Sequence, residues 1–466
     1  MVFSSLIFIF RFLPVFLIVY FITPKKYKNF TLLIFSLIFY TFGEPRYFPL
    51  MIASILVDYF VSIKIEKNYN NRNKCRLLLL ISIIFNIGML FFFKYYNFFI
   101  DNINMIFYTS FKELSLSLPL GISFYTFQTL SYTIDVYNGK IKAERNLIDF
   151  GAFVSAFPQL IAGPIVKYTD INIEIKNREF NLSNLEIGLE EFIIGLGKKV
   201  LIANNIGMLW TEVYNKNLND ISMPLAWIGI LAFSFQIYFD FSGYSSMAIG
   251  LGKMLGFTFP KNFNFPYISR SISEFWRRWH ITLSSWLKEY VYIPLGGNRV
   301  GKIRYLFNLL ILWFLTGFWH GAEYTFIIWG LYFFVLIYLE KLFLKNFLNK
   351  HKIFSHIYTI FFLLIGWCIF AIDDISILKL FINRMISFDF SLDWIYYISN
   401  YFIVFIICFI SSTPLIQRLY TKINKEIIAI LIVLIFILSV AYLVDSTYNP
   451  FLYFRFWLEW KLLWKN

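Results

Sequence analysis

The chain has 466 residues, of which 59% are hydrophobic, 22% aromatic and only 15% charged, with a mean hydropathy of +0.63. Soluble domains carry roughly a quarter charged residues, so this composition excludes a water-soluble globular protein and fits an integral membrane one, whose aromatic side chains suit lipid-facing surfaces and interfacial belts. The net charge of +14, from 42 basic and 28 acidic residues, would suggest nucleic acid in a soluble chain; here the basic residues sit in short loops between apolar runs, a topology signal, and nucleic acid is excluded as a partner.

The opening stretch, MVFSSLIFIFRFLPVFLIVYFITPKKYK, has no basic n-region and no small-residue cleavage site, and reads as a retained first span. Apolar runs follow at about 29–42, 47–63, 77–98, 149–166, 185–212, 223–251, 305–320, 324–344, 354–372, 397–412 and 427–444. A span needs ~20 apolar residues, so these runs and the ambiguous 103–137 region predict roughly 11 to 13 membrane-embedded helices, some re-entrant. No soluble domain, linker or internal repeat interrupts them, and the chain is expected to form one membrane domain over 1–466. Cys75, Cys368 and Cys408 lie far apart, without a CxxC neighbour or a histidine at ligand spacing, so neither a disulfide framework nor a metal site is predicted.

Basic clusters set the expected topology. Lys25, Lys26 and Lys28 follow the first run, and Lys64, Lys67, Arg72, Lys74 and Arg76 follow the third. Both belong in the cytoplasm, which puts the N-terminus outside. Continuing the count, Ser271–Arg304 and Lys341–Lys352 fall inside. The turn at Gly321–Tyr324, the pair Asp373 and Asp374, and the tail after Asp445 fall outside.

Several stretches carry chemistry-bearing residues. In FPQLIAGPIVKY the Gly163-Pro164 step breaks a helix, which a membrane protein tolerates where backbone lines a cavity. Asp240, in LAFSFQIYFDFSGYS, is an acid within an apolar run: it lines a polar cavity, orients a histidine, or sits in a buried ion pair, with arginine the expected partner. Gly243 and Gly250 allow close helix approach. GLGKMLG at 250–256 has the wrong spacing for a dinucleotide fingerprint. SISEFWRRWHITLSSWLKEYVYIPLGGNR, from Ser271 to Arg299, is too charged to span. As one helix it would put Trp276, His280, Leu283 and Leu287 on a single face. A histidine there is either a packed core group or a functional one. His320 ends the run after Arg304, in FLTGFWHGAEY, and imidazole takes and returns a proton near neutral pH. His351 and His356 read as solvated loop residues.

FWRRWH followed by an apolar run ending in FWHG resembles the membrane-bound O-acyltransferase (MBOAT) family. FPQLIAGPIVKY, QIYFDFSGYS, NFNFPY, IPLGGNR, TGFWHGA and NPFLYFRF extend the resemblance to its bacterial alginate and peptidoglycan O-acetylation branch, over about residues 150–456. The resemblance implies an all-α bundle around a tunnel, with its motif core at about 150–340, in the bacterial cytoplasmic membrane. It implies acetyl-CoA as the cytoplasmic acyl donor, no permanently bound cofactor, an extracytoplasmic polysaccharide acceptor and an esterase-like extracytoplasmic partner. His320 matches the family's catalytic histidine and His280 the second histidine of the branch. Arg277, Arg278 and Lys288 are expected to hold donor phosphates, and Asp240, Trp276, Trp279, Trp319, Asn298 and Pro164 to shape the tunnel. The aromatic tail 446–466, with Phe451, Tyr453 and Phe456, resembles tails thought to carry an acyl group, which makes Tyr453 a candidate transient acceptor. D-alanyl transfer to teichoic acid is the alternative within the same fold. A glycan flippase would be built from inverted repeats with paired broken helices, and none is visible.

Overall fold

The computed structural model describes residues 2–161, 163–445, 448–450 and 452. Every regular element among them is helical. Eight helices are long and apolar enough to cross a membrane, as ~20 residues at 1.5 Å rise require. In chain order the principal helices are α1 (Phe48–Lys67), α2 (Arg72–Lys94), α3 (Ile122–Tyr137), α4 (Leu182–Tyr214), α5 (Met223–Met254), α6 (Ile272–Arg278), α7 (Ile281–Leu287), α8 (Lys302–His320), α9 (Tyr324–Lys350), α10 (Lys352–Ala371), α11 (Asp393–Ser411) and α12 (Lys425–Asp445). The eight spans are α1, α2, α4, α5 and α9 to α12. Other apolar runs form shorter helices. Phe8–Ile22 is one; the run at 149–166 is cut into Leu147–Ser155 and Phe157–Leu160, because Pro158 lacks an N–H and fits only a helix's first turn.

Burial separates the spans by role. In α5 83% of the apolar window is buried inside the protein, against 17% in each of α2, α11 and α12. A helix apolar all round belongs in a core or in lipid; α5 is the former, and the outward side chains of α2, α11 and α12 are the latter. The chain folds as two compact units, one holding residues up to 192 with 244–260, the other 193–243 with 261–452.

In the first unit α1, α2 and α3 enclose a polar cluster. Asp58 accepts from Ser82, from Asn86 Nδ2 at 2.7 Å and from Thr133 Oγ1 at 3.1 Å. All four residues are fully buried, and such a network persists only when its members satisfy one another. Gly250 belongs to this unit: a Cβ there would stand 2.5 Å from the Gly188 carbonyl oxygen, so close approach requires the glycine.

Among the described residues, the second unit holds the sequence-predicted site residues except Pro164, which is buried in the first unit within the non-helical stretch 163–167. A Cβ on Gly243 would stand 2.7 Å from the Gly195 carbonyl oxygen. Asp240 resolves as the buried ion pair among its three sequence readings, with Lys199 rather than an arginine as the partner, at 2.6 Å. The region read as a loop around His351 and His356 is helical. His356 lies in α10, with its Nδ1 3.2 Å from the Ser269 carbonyl oxygen; tertiary packing overrides the local polarity that marked it as loop.

Candidate active site

The stretch 271–299 is not one helix. The Ser271 hydroxyl caps α6 by accepting the Glu274 N–H at 3.0 Å. The helix stops after Arg278, Trp279 is extended, and His280 takes a left-handed conformation at φ +43° and ψ +54° before α7 begins. A non-helical segment at 261–265 imposes the break. The Asn264 N–H donates to the Arg278 carbonyl and the Ile281 N–H to the Asn262 carbonyl, both at 2.9 Å, which removes those groups from a continuous helical ladder. A non-glycine residue in the left-handed region costs ~1–2 kcal/mol, and such strain persists only where the surroundings over-determine it.

Asn262 does much of that work. Its Oδ1 accepts the Thr282 N–H at 3.3 Å and hydroxyl at 2.9 Å, and lies 3.1 Å from His280 Nδ1. A backbone N–H can only donate, so this atom is the amide oxygen, and Nδ1–H of His280 is the donor to it. The resulting tautomer leaves Nε2 with its lone pair. His280 is 2% exposed, and its Nε2 has no hydrogen-bond partner among the described residues. Phe241 packs edge-on against the ring at 4.7 Å.

Glu340, which opens a π-helical turn within α9, holds the start of α6. Its carboxylate accepts the Ile272 N–H at 2.6 Å, the Ser273 N–H at 2.9 Å and the Ser273 hydroxyl at 2.7 Å. An acid at a helix N-terminus satisfies orphan donors and complements the helix dipole. In the same first turn of α6, burial alone would raise the Glu274 carboxyl, but the Arg270 N–H and the Arg278 guanidinium hold its pKa below the ordinary value.

His280 and His320 line one cavity of about 270 Å³, room for roughly nine water molecules. Trp276, Leu283 and Leu287 line it too, so the four residues expected on one helical face do meet, across a broken helix instead of along a continuous one. Leu309, Leu312 and Trp313 of α8 supply much of the opposite wall, and Thr316 a hydroxyl near His320 in the sequence. His320 is the last residue of α8, where Gly321 turns extended. The rings of Trp319, Trp329 and Phe370 surround its imidazole, with centroids 5.0 to 5.1 Å away. Trp319 also lies 6.0 Å from His280, so one indole touches both imidazoles. Trp279 lines the cavity and packs at a tilt against Trp367, with ring centroids 4.8 Å apart.

The basic residues divide. Arg277 and Lys288 are exposed yet reach the cavity wall. Arg278 does not: Glu274 holds its guanidinium at 3.0 Å, and the Asn264 carbonyl accepts from it at 3.1 Å. Asn298 is exposed in the turn before α8 and stands apart from the cavity. That turn is fixed by a different asparagine, Asn308, which donates to the Leu295 and Gly297 carbonyls. Tyr453 lies outside the described residues. Asn262, Glu340 and Lys199 were not singled out from sequence. The available signal was a polar side chain in an apolar or aromatic setting, as in KNFNFPY and YLEKLFL, but each has its partner 18 to 251 positions away.

Comparison with known proteins places this geometry in context. A sequence model described as the membrane-bound O-acyltransferase family matches residues 141–377. A probable alginate O-acetylase of Pseudomonas putida is 37% identical over 98% of this chain and 100% of its own length. A peptidoglycan O-acetyltransferase of Helicobacter pylori is 40% identical over 81% of this chain and 78% of its own. A teichoic acid D-alanyltransferase of Streptococcus thermophilus is 30% identical over 46% of this chain and 54% of its own.

Proposed function

Because the chain belongs to the membrane-bound O-acyltransferase family and is a multi-pass membrane O-acyltransferase, we propose that it takes acetyl from cytoplasmic acetyl-CoA and passes it across the cytoplasmic membrane to an extracytoplasmic polysaccharide, an exopolysaccharide or peptidoglycan. The observation that carries this reading is the single cavity lined by His280 and His320, with Arg277 and Lys288 in its wall. Its volume suits an acetyl thioester and the adjoining linker; a whole coenzyme is far larger. The nucleotide end therefore stays at the exposed cations, where phosphate oxygens find charge-assisted partners.

Acyl transfer needs a base for the attacking hydroxyl and donors for the developing oxyanion. His320 is assigned as the base. It takes the hydroxyl proton as the new C–O bond forms; the C–S bond breaks, and the proton leaves with the thiolate. His280, held as the Nδ1–H tautomer by Asn262, offers Nε2 as an acceptor and orients the donor. The enclosing rings exclude water, which would otherwise hydrolyse the thioester. Tyr453 is assigned as a transient acyl acceptor between the cavity and a separate esterase-like extracytoplasmic transferase.

Substitution of His320 by alanine tests the assignment. The expected result is loss of polymer O-acetylation in cells that express the variant normally; retained acetylation removes His320 from the mechanism. Mass analysis of the modified polymer distinguishes added acetyl from added D-alanyl, and finding D-alanyl would replace the donor proposed here.

A further inference from the structure

Acyl transfer at the two histidines leaves the buried Lys199–Asp240 ion pair unused. Lys199 and Asp240 are 1% and 2% exposed and pair at 2.6 Å. Lys199 sits in a π-helical turn, Lys198–Ala203, that widens α4 locally; such turns recur at functional sites. An ammonium has three N–H donors. Here Asp240 Oδ1 takes one, Asn204 Oδ1 takes one at 2.8 Å, and the Pro450 carbonyl takes the third.

The carboxylate shows the same pattern from its own side. Asp240 Oδ2 accepts the Leu452 N–H at 2.8 Å. Around this pair, Asn204 Nδ2 donates to Asn449 Oδ1 at 3.1 Å, and the Tyr448 hydroxyl meets Thr211 Oγ1 at 3.0 Å and Gln236 Nε2 at 3.3 Å. Buried polar groups are almost always partnered, and both ions lose a partner if residues 448–450 and 452 leave. The neighbouring residue on α5 is Phe241, whose ring rests on His280.

We propose that Lys199 and Asp240 form an ionic latch that seats the start of the C-terminal tail, residues 448–450 and 452, and that acyl transfer to the polymer requires the tail to be seated there. Both are positioning residues, since neither lines the histidine-lined cavity. The positioning role rests on the reading of Tyr453 as an acyl carrier, whereas the seating of residues 448–450 and 452 does not.

The test uses the full-length protein in detergent and in cells. Leu452→Cys places a thiol on the seated segment while keeping its backbone N–H; Cys75, Cys368 and Cys408 are buried and give the background rate. The double variant Lys199→Met with Asp240→Leu removes both charges and leaves neither ion unpaired. It is expected to melt cooperatively, to label at position 452 roughly tenfold faster or more, to bind acetyl-CoA as the parent does, and to lose polymer acetylation. Lys199→Arg, which keeps the charge and the donors, is expected to restore most of the slow labelling. If the double variant does not fold, Tyr448→Phe with Asn449→Ala serves instead: it leaves both ions paired, and labelling is expected to rise about threefold. Unchanged labelling in the folded variants overturns the latch. Faster labelling with full acetylation overturns the positioning role together with the carrier reading of the tail.

Discussion

The imidazole of His280 is held on a left-handed residue, a conformation that asparagine adopts more readily than most. His280→Asn should therefore keep the backbone break, with stability within about 1 kcal/mol of the parent by thermal unfolding in detergent, while acetyl transfer falls at least tenfold. Asn262→Ala should behave differently. It strands the buried Nδ1–H and the Thr282 N–H, so a loss of about 1–3 kcal/mol in the same unfolding measurement is expected together with the loss of activity. Equal stability of the two variants would show that Asn262 does not support the break. At this scale the two histidines were legible because a rare ionisable group in a membrane chain stands out. Asn262 was not, since nothing in KNFNFPY says that its amide oxygen serves residues 280 and 282.

At the level of elements, α6 presents Arg277 to the cavity and is seated by Glu340 at its N-terminus. Glu340→Gln keeps the shape but removes the charge that accepts two backbone N–H groups. The expected outcome is a loss of about 1–2 kcal/mol and, in a purified donor-dependent assay, a raised KM for acetyl-CoA with kcat nearly unchanged; a fall in kcat alone would sink this account of α6. The periodicity of 271–299 predicted one helix and missed the break, for a physical reason. No proline or glycine stands at Trp279 or His280, and the interruption comes from hydrogen bonds to 262 and 264, which local pattern cannot register. Where the breaker is local the interruption is easier to read, as at Gly163-Pro164; the break at Pro158 lies inside a run that reads as continuous.

For the molecule as a whole, composition made the membrane class plain, and the burial contrast between α5 and the α2, α11 and α12 set follows from what each touches. Hydropathy alone could not say which apolar runs would form one continuous helix, because 149–166 resembles a span but becomes a broken pair of short helices. The charge pattern predicts orientation: single cysteines placed near residue 2 and in Gly321–Tyr324 should react with an impermeant thiol reagent in intact cells, and one placed among residues 64–76 should not. The reverse labelling would invert the route proposed for the acetyl group. The acceptor that completes the Lys199 ammonium lies 251 residues further along, and this bears on biogenesis. While the chain is being made and inserted, a lysine at this depth waits for a carbonyl that emerges only after the last span. Nascent chains halted before residue 450 are expected to expose that deficit to membrane quality control and to turn over faster than full-length protein in a pulse-chase experiment, making synthesis of this segment the step that commits the bundle.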